Sequence, residues 1–211
     1  MWCTEQFICK VEGANHTACR IPGLLLLFLL FLVIDLAIEL ERTFLAKQIP
    51  EGLKACKSKE IRDIYLPRAI EIHASIRIRK NGDKYEITKK TPIVEGDHSQ
   101  MLEQNINLTR EEFLQLEKEI SGRKVSKTRY YYPVNGRIAE VDVFSEALIG
   151  LVLIDFEFES VEEKDAFKPP FFCLADVTQE DFIAGGILCG KKYADLEKDL
   201  ARFGYSRLFL K

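Results

Sequence analysis

From residue 37 onward the chain repeatedly sets an apolar side chain beside a charged one, at every second position. Side chains alternate across the two faces of a strand, so charges two residues apart share a face. In residues 37–45, Glu39, Glu41 and Thr43 face one way and Ile38, Leu40, Arg42 and Phe44 the other. In residues 75–80, Arg77 and Arg79 oppose Ile76 and Ile78, and in residues 84–90, Glu86, Thr88 and Lys90 oppose Tyr85 and Ile87. Asn81-Gly82 marks the hairpin between those two strands. Glu103, Asn105 and Asn107 alternate with Gln104, Ile106 and Leu108, and Lys127 and Arg129 share a face within residues 125–132. After a turn at Asn135-Gly136, Glu140 and Asp142 oppose Ala139, Val141 and Val143. The last such strand, residues 151–159, sets Asp155, Glu157 and Glu159 against Val152, Ile154, Phe156 and Phe158.

Helical signals are fewer. Thr109-x-x-Glu112 is a capping box, followed by an apolar stripe of Phe113, Leu116 and Ile120. A second box, Ser160-x-x-Glu163, opens a short helix that Pro169-Pro170 ends, and residues 193–203 show helical spacing at Leu196, Leu200 and Phe203. Residues 24–34 are an unbroken apolar run. As a helix this run is about 17 Å long, against about 30 Å of bilayer hydrocarbon; residues 21–38 would reach about 27 Å but include Asp35. Residues 1–36 therefore stand apart as a hydrophobic leader, and residues 37–211 form the domain. Three readings of the leader stay open: an assigned start that lies too far upstream, a membrane anchor through residues 21–38, or a cleaved signal. The first gives a cytoplasmic protein, the second a membrane-anchored one.

Composition narrows the class. With 47% hydrophobic and 30% charged residues and a formal net charge of -3, the chain has no basic excess of the kind that marks a nucleic-acid partner. Six cysteines are present without a C-x-x-C pair, and Cys3, Cys9, His16 and Cys19 match no common zinc spacing. Nothing in the sequence gives His73 or His98 a role or fixes an oligomeric state.

Any one charged strand face could be the solvent side of a sheet. The recurrence of Arg-x-Arg, Lys-x-Arg, Glu-x-Glu, Glu-x-Asp and Asp-x-Glu doublets on separate strands points elsewhere. If the sheet closes into a barrel, these faces turn inward. Carboxylates then gather to hold a hard divalent cation, and basic residues grip phosphate oxygens.

These motifs resemble those of the CYTH family, the triphosphate tunnel metalloenzymes. Glu39-Leu40-Glu41-Arg42-Thr43 is similar to its E-x-E-x-K signature, Arg62-Asp63-Ile64-Tyr65-Leu66 to its tyrosine-bearing segment, and Arg77-Ile78-Arg79 to its R-x-R strand. Thr88-Lys89-Lys90, Lys127-Thr128-Arg129, Glu140-Val141-Asp142, Asp155-Phe156-Glu157 and Lys192-Tyr193 resemble its later motifs in the right order. The resemblance implies a mainly β (α+β) fold, an eight-stranded antiparallel barrel with flanking helices, whose lumen is a tunnel open at both ends. It implies Mg²⁺- or Mn²⁺-dependent hydrolysis of a small-molecule triphosphate, inorganic triphosphate above all, with thiamine triphosphatase or class IV adenylate cyclase activity as alternatives. Carried over by position, Glu39, Glu41, Glu140, Asp142, Asp155 and Glu157 would hold metal. Arg77, Arg79, Lys90, Arg129 and Lys192 would bind substrate. Lys127, paired with Arg129, and Tyr65, near the tunnel mouth, would serve catalysis.

One position departs from the family pattern: Thr43 stands where the signature has Lys. A lost cationic contact to polyphosphate costs about 1.5–3 kcal/mol. Thr43 thus favours a second class, a polyphosphate- or nucleotide-binding module without turnover, whereas the full acidic set favours an enzyme.

Overall fold

The structure, a computed structural model, describes residues 35–66, 76–120 and 123–210. The apolar run of the leader, with the three readings attached to it, lies outside the described residues. Among the described residues, no helix is long and apolar enough to cross a membrane.

Nine strands are described: β1 (Asp35–Ala46), β2 (Ser58–Leu66), β3 (Ile76–Asn81), β4 (Lys84–Pro92), β5 (Gln100–Leu108), β6 (Lys124–Val134), β7 (Arg137–Phe144), β8 (Val152–Phe158) and β9 (Cys173–Asp176). They pair antiparallel in the order β5-β4-β3-β2-β6-β7-β8-β1, and β1 closes the ring by pairing with β5 from Asp35↔Asn105 to Leu40↔Gln100. Closure leaves the first eight strands without an open edge, which removes the aggregation hazard of a long sheet. Where β5 leaves β1, the short β9 takes over that edge at Phe44↔Asp176. Between them the Glu41 amide donates to the Ser99 carbonyl at 3.1 Å and the Thr43 amide to Thr178 Oγ1 at 3.1 Å.

Both Asn-Gly signals mark hairpin turns, one of them displaced by a residue. Val134↔Arg137 brackets Asn135 and Gly136, whose φ values of 49° and 76° are those of the primed turn that Asn-Gly favours. The β3–β4 turn centres on Gly82-Asp83 rather than Asn81-Gly82, because Asn81 still pairs with Lys84.

Helix α1 (Arg110–Glu119) has the expected reciprocal box: Thr109 Oγ1 accepts from the Glu112 amide at 3.2 Å, and Glu112 accepts from the Thr109 amide at 2.7 Å. Phe113 is buried with Ile64 and Ile78 on the barrel's outer face. Helix α2 (Val161–Ala166) has only half a box, since Glu163 turns back to the Glu159 amide at 2.9 Å instead of Ser160. Beneath it, Phe44, Phe156 and Phe158 pack outside β1 and β8. The outward residue of these alternating strands is thus mostly the apolar one; helices cover it at Phe44, Ile64, Ile78 and Phe156, while Ile38, Ile106 and Ile138 stay exposed.

Barrel end and C-terminus form the third cluster. Two residues beyond Thr43, Asp63 and Asp142, the lumen face turns apolar at Leu45, Tyr65 and Phe144, and two residues before Lys127 and Asp155 it turns apolar at Val125 and Leu153. Against these pack Phe182 and Ile183, helix α3 (Gly185–Leu188), Tyr193, Leu196 and, from helix α4 (Glu197–Ala201), Leu200. Arg123 donates to the Gly186 carbonyl at 2.7 Å, and Tyr205 Oη accepts from the Val152 amide at 2.8 Å, fixing the segment in place. This end of the lumen is therefore filled, where the family resemblance implied an opening. The strand β9 and the turns of residues 181–188 carry no period-2 or 3.6 signal in the sequence.

Candidate active site

A cavity of about 290 Å³ lies in the lumen, bounded by the C-terminal segment at Ile183, Ala184, Gly185 and Gly186. It matches the lower end of small-ligand sites, about 300–1,000 Å³. Glu39, Glu41 and Thr43 enter it from β1, Asp155 from β8, Asp142 from β7, Lys127 and Arg129 from β6, Asp63 and Tyr65 from β2, Arg77 from β3 and Lys90 from β4. Each strand delivers its charges by alternation alone.

The charges sort into two kinds of pair. Asp63 and Asp142 are clamps on cations. Arg79 Nε and Nη2 donate to the two oxygens of Asp63 at 2.7 and 2.8 Å. Arg129 Nε and Nη2 do the same to Asp142, both at 2.7 Å, and Lys127 also binds Asp142. Burial alone would raise the pKa of both aspartates, but the neighbouring cations outweigh it. Arg129 and Lys127 hold Asp142 down at about 2, and Arg79 and Arg77 hold Asp63 well below the usual carboxylate range.

The second group is crowded rather than clamped. Glu41 pairs with Glu157 across the β1–β8 ladder and Glu140 with Asp155 across β7–β8, so carboxylates meet carboxylates, while Thr43 stands opposite Asp155. Burial, then the Glu41 charge, raises the Asp155 pKa well above normal. Burial, then Glu39 and Glu41, raises that of Glu157, and burial raises Glu39 and Glu140 despite their cation partners. Lys90 bonds to Glu39 and lies 3.2 Å from Glu103 and 3.9 Å from Glu41. Arg129 reaches Glu140 as well, and Asp155 at 2.8 Å. Among the described residues no three acidic, histidine or cysteine side chains converge as a ready metal cluster. A cation has to compete with Lys90 for Glu39 and with Arg129 for Asp155.

Several expected site residues are placed differently from the reading of the sequence. Lys127 and Arg129 do not pair with one another; both charges need the same counter-ion, Asp142. Asp142 is fully buried beneath them, its acceptor positions taken, so it stands with the clamps instead of the crowded acids. Arg79 is inside the barrel wall but does not line the cavity; nor does Glu157, whose side chain is partly desolvated by the wall around it yet remains open to solvent. Lys192 is not brought to the lumen: it is exposed, its amide capped by Asp195 at 2.8 Å, because the adjoining Tyr193 is the residue that turns inward. Tyr65 lies at the filled end, 6% exposed, accepting from Arg77 Nη1 at 3.3 Å. Asp63 and Glu103 were not singled out. Asp63 sits on a lumen face reading Ile61, Asp63, Tyr65, where one acid between apolar neighbours gives no doublet to notice. Glu103 has the alternation, but the next positions on its face are Asn105 and Asn107, which make no charged doublet with it.

No protein-family model matches the chain. An inorganic triphosphatase from Nitrosomonas europaea is 33% identical over 143 residues, which is 67% of this chain and 90% of the relative. A crystal structure of an inorganic triphosphatase superposes with a TM-score of 0.55 at 29% identity, covering 72% of this chain and 95% of that one. A second crystal structure, of a protein described as hypothetical, gives 0.55 at 30% identity over 73% and 99%. Closed barrel, lumen charges and a sequence likeness that runs through nine-tenths of the relative agree: the chain belongs to the CYTH, or triphosphate tunnel, family.

Proposed function

We propose that this protein hydrolyses inorganic triphosphate to diphosphate and phosphate inside the barrel, with a divalent cation, Mg²⁺ or Mn²⁺, on the acids of β1 and β8. The observation that carries the reading is the pair of opposed walls around one cavity: Glu39, Glu41 and Asp155 on one side, Arg77, Lys127 and Arg129 on the other. The likeness to an inorganic triphosphatase supports the choice of substrate.

The donor set suits a hard cation, being all carboxylate oxygen. Burial and like-charge crowding raise Asp155, Glu157 and Glu39, and a bound cation offsets both, since it favours their ionised forms. Glu39, Glu41, Asp155 and Glu157 would hold it. Bound there, it would neutralise charge on the phosphate oxygens and acidify the attacking water. The protein's own groups supply the rest. Arg77 and Lys90 hold phosphate oxygens, Lys127 and Arg129 spread positive charge along the opposite wall, and the apolar filling behind Tyr65 keeps water from that end. Phosphoryl transfer asks for this positioning and charge neutralisation more than for a covalent intermediate.

Phosphate release should appear with inorganic triphosphate plus Mg²⁺ or Mn²⁺, exceed that with ATP or thiamine triphosphate, and vanish with chelator. Absence of release from all three substrates, alongside tight triphosphate binding, would instead establish the binding-module reading that Thr43 favours.

A further inference from the structure

We propose that Asp63 is a positioning residue that withholds Arg79 from the substrate and leaves Arg77 as the phosphate ligand contributed by β3. The inference rests on the triphosphate reading above. The two arginines alternate by two residues and share a strand face, yet their surroundings differ. Arg79 spends Nε and Nη2 on the two Asp63 oxygens at 2.7 and 2.8 Å, a bidentate fork that fixes the guanidinium plane. Arg77 lines the cavity and is 8% exposed, but its carboxylate neighbours, Asp63 and Glu103, both stand at 3.9 Å. Its Nε is buried without a hydrogen-bond partner, and Nη1 has only the Tyr65 hydroxyl at 3.3 Å. A buried guanidinium with unused donors calls for an acceptor, and a phosphate oxygen is one.

Barrel order explains why the fork around Arg79 does not open when ligand arrives. In the ring β1-β5-β4-β3-β2-β6-β7-β8, β2 lies four strands from β1 in either direction. Asp63, on β2, thus faces the wall opposite β1 and cannot join the crowded acids. Arg129 is different: Glu140 and Asp155, two of its three carboxylate partners, lie on β7 and β8 beside that acidic wall, so a cation there can free its donors. Asp63, 2% exposed, has no part in that acidic wall, so a cation bound there leaves its fork to Arg79 in place.

The test is calorimetric binding of inorganic triphosphate with Mg²⁺ to the full chain, together with steady-state phosphate release. Arg77→Lys should weaken binding by roughly tenfold or more, since Lys cannot replace a fork donor. Arg79→Lys should stay within about twofold of the native protein. Asp63→Asn should release Arg79 toward the substrate, so KM and kcat fall together as the triphosphate is drawn to the β2–β3 side, away from the acids. A purely structural loss would lower kcat without lowering KM. Asp63→Asn/Arg79→Gln removes the pair as a neutral unit and should return both constants to within about twofold. If Asp63→Asn does not fold, the lysine variants and the double variant still decide. Arg79→Lys costing as much as Arg77→Lys, or the double variant losing roughly tenfold in affinity, would overturn the assignment. A native protein that binds no triphosphate would overturn the functional reading and this one with it, whereas native binding with an Arg79 effect overturns this one alone.

Discussion

Among single residues, the acids divide by what surrounds them, and that division predicts opposite responses to neutralisation. Glu157 has raised pKa through burial and its like-charged neighbours Glu39 and Glu41. Glu157→Gln should leave thermal stability level or higher, because repulsion is relieved, while metal-dependent phosphate release falls by about a hundredfold or more. Ordinary turnover at ordinary metal concentration would remove Glu157 from the metal-holding set. Thr43 gives the converse experiment. Its hydroxyl donates to Glu41 at 3.3 Å and it pairs across the ladder with Asp155. A Lys here would sit between Glu41 and the crowded Asp155, so Thr43→Lys should raise both melting temperature and triphosphate affinity. An unchanged affinity would mean that Lys90 already fills the missing cation's role.

Individual elements matter most at the filled end. Helix α3 begins at Gly185, and a Cβ there would meet Tyr65 Oη at 2.0 Å and Cζ at 2.8 Å. The glycine is therefore required by close approach to a rigid ring, not by its backbone angle. Gly185→Ala should destabilise by about 1–3 kcal/mol through overpacking. Its cost should shrink in a Tyr65→Phe background, where the nearest atom is gone, and a double-mutant cycle from denaturant melts measures the coupling. Additive costs would show that α3 shifts freely and does not seat on Tyr65.

For the molecule as a whole, two stability predictions follow from the charges and from closure. Asp63 and Asp142 have depressed pKa values, so the stability they confer is present above the unfolded carboxylate value of about 3.9 and is lost as pH falls toward about 2. The raised acids Asp155, Glu157, Glu39 and Glu140 act in the opposite sense. The folded state holds their protons more tightly, so stability falls as pH rises from about 4 through their raised values. Metal-free melts should then peak near pH 4–5, with Mg²⁺ flattening the upper limb; a metal-free profile that keeps rising to neutral pH would contradict the crowding. Closure, for its part, depends on β1, which starts at Asp35 and pairs with both β5 and β8. A chain shortened to begin at Asp35 should keep the melting temperature and the phosphate release of the full chain, whereas one beginning at Arg42 loses the β5 seam and should not fold cooperatively. Loss of activity on removing residues 1–34 would make the leader part of the working protein.

Sequence alone determined seven of the nine described strands, all but β2 and β9, and the face on which their charges lie, because a period of two is local and survives any tertiary arrangement. It also marked α1 through its capping box and, through the order of its doublets, the family. It could not say how the charges would pair, since pairing joins residues such as Asp63 with Arg79, and Asp142 with Lys127 and Arg129, across strands whose register is set by the whole ring. That is why the sequence pattern groups Asp142 with the metal acids and gives Asp63 no role. Nor could it foresee the filled end: Leu45, Tyr65, Val125, Phe144 and Leu153 come from five strands, and Ile183–Gly186 from a segment without periodic signal. Only closure brings those apolar positions to one end of the lumen, where burying them requires the C-terminus to cover it.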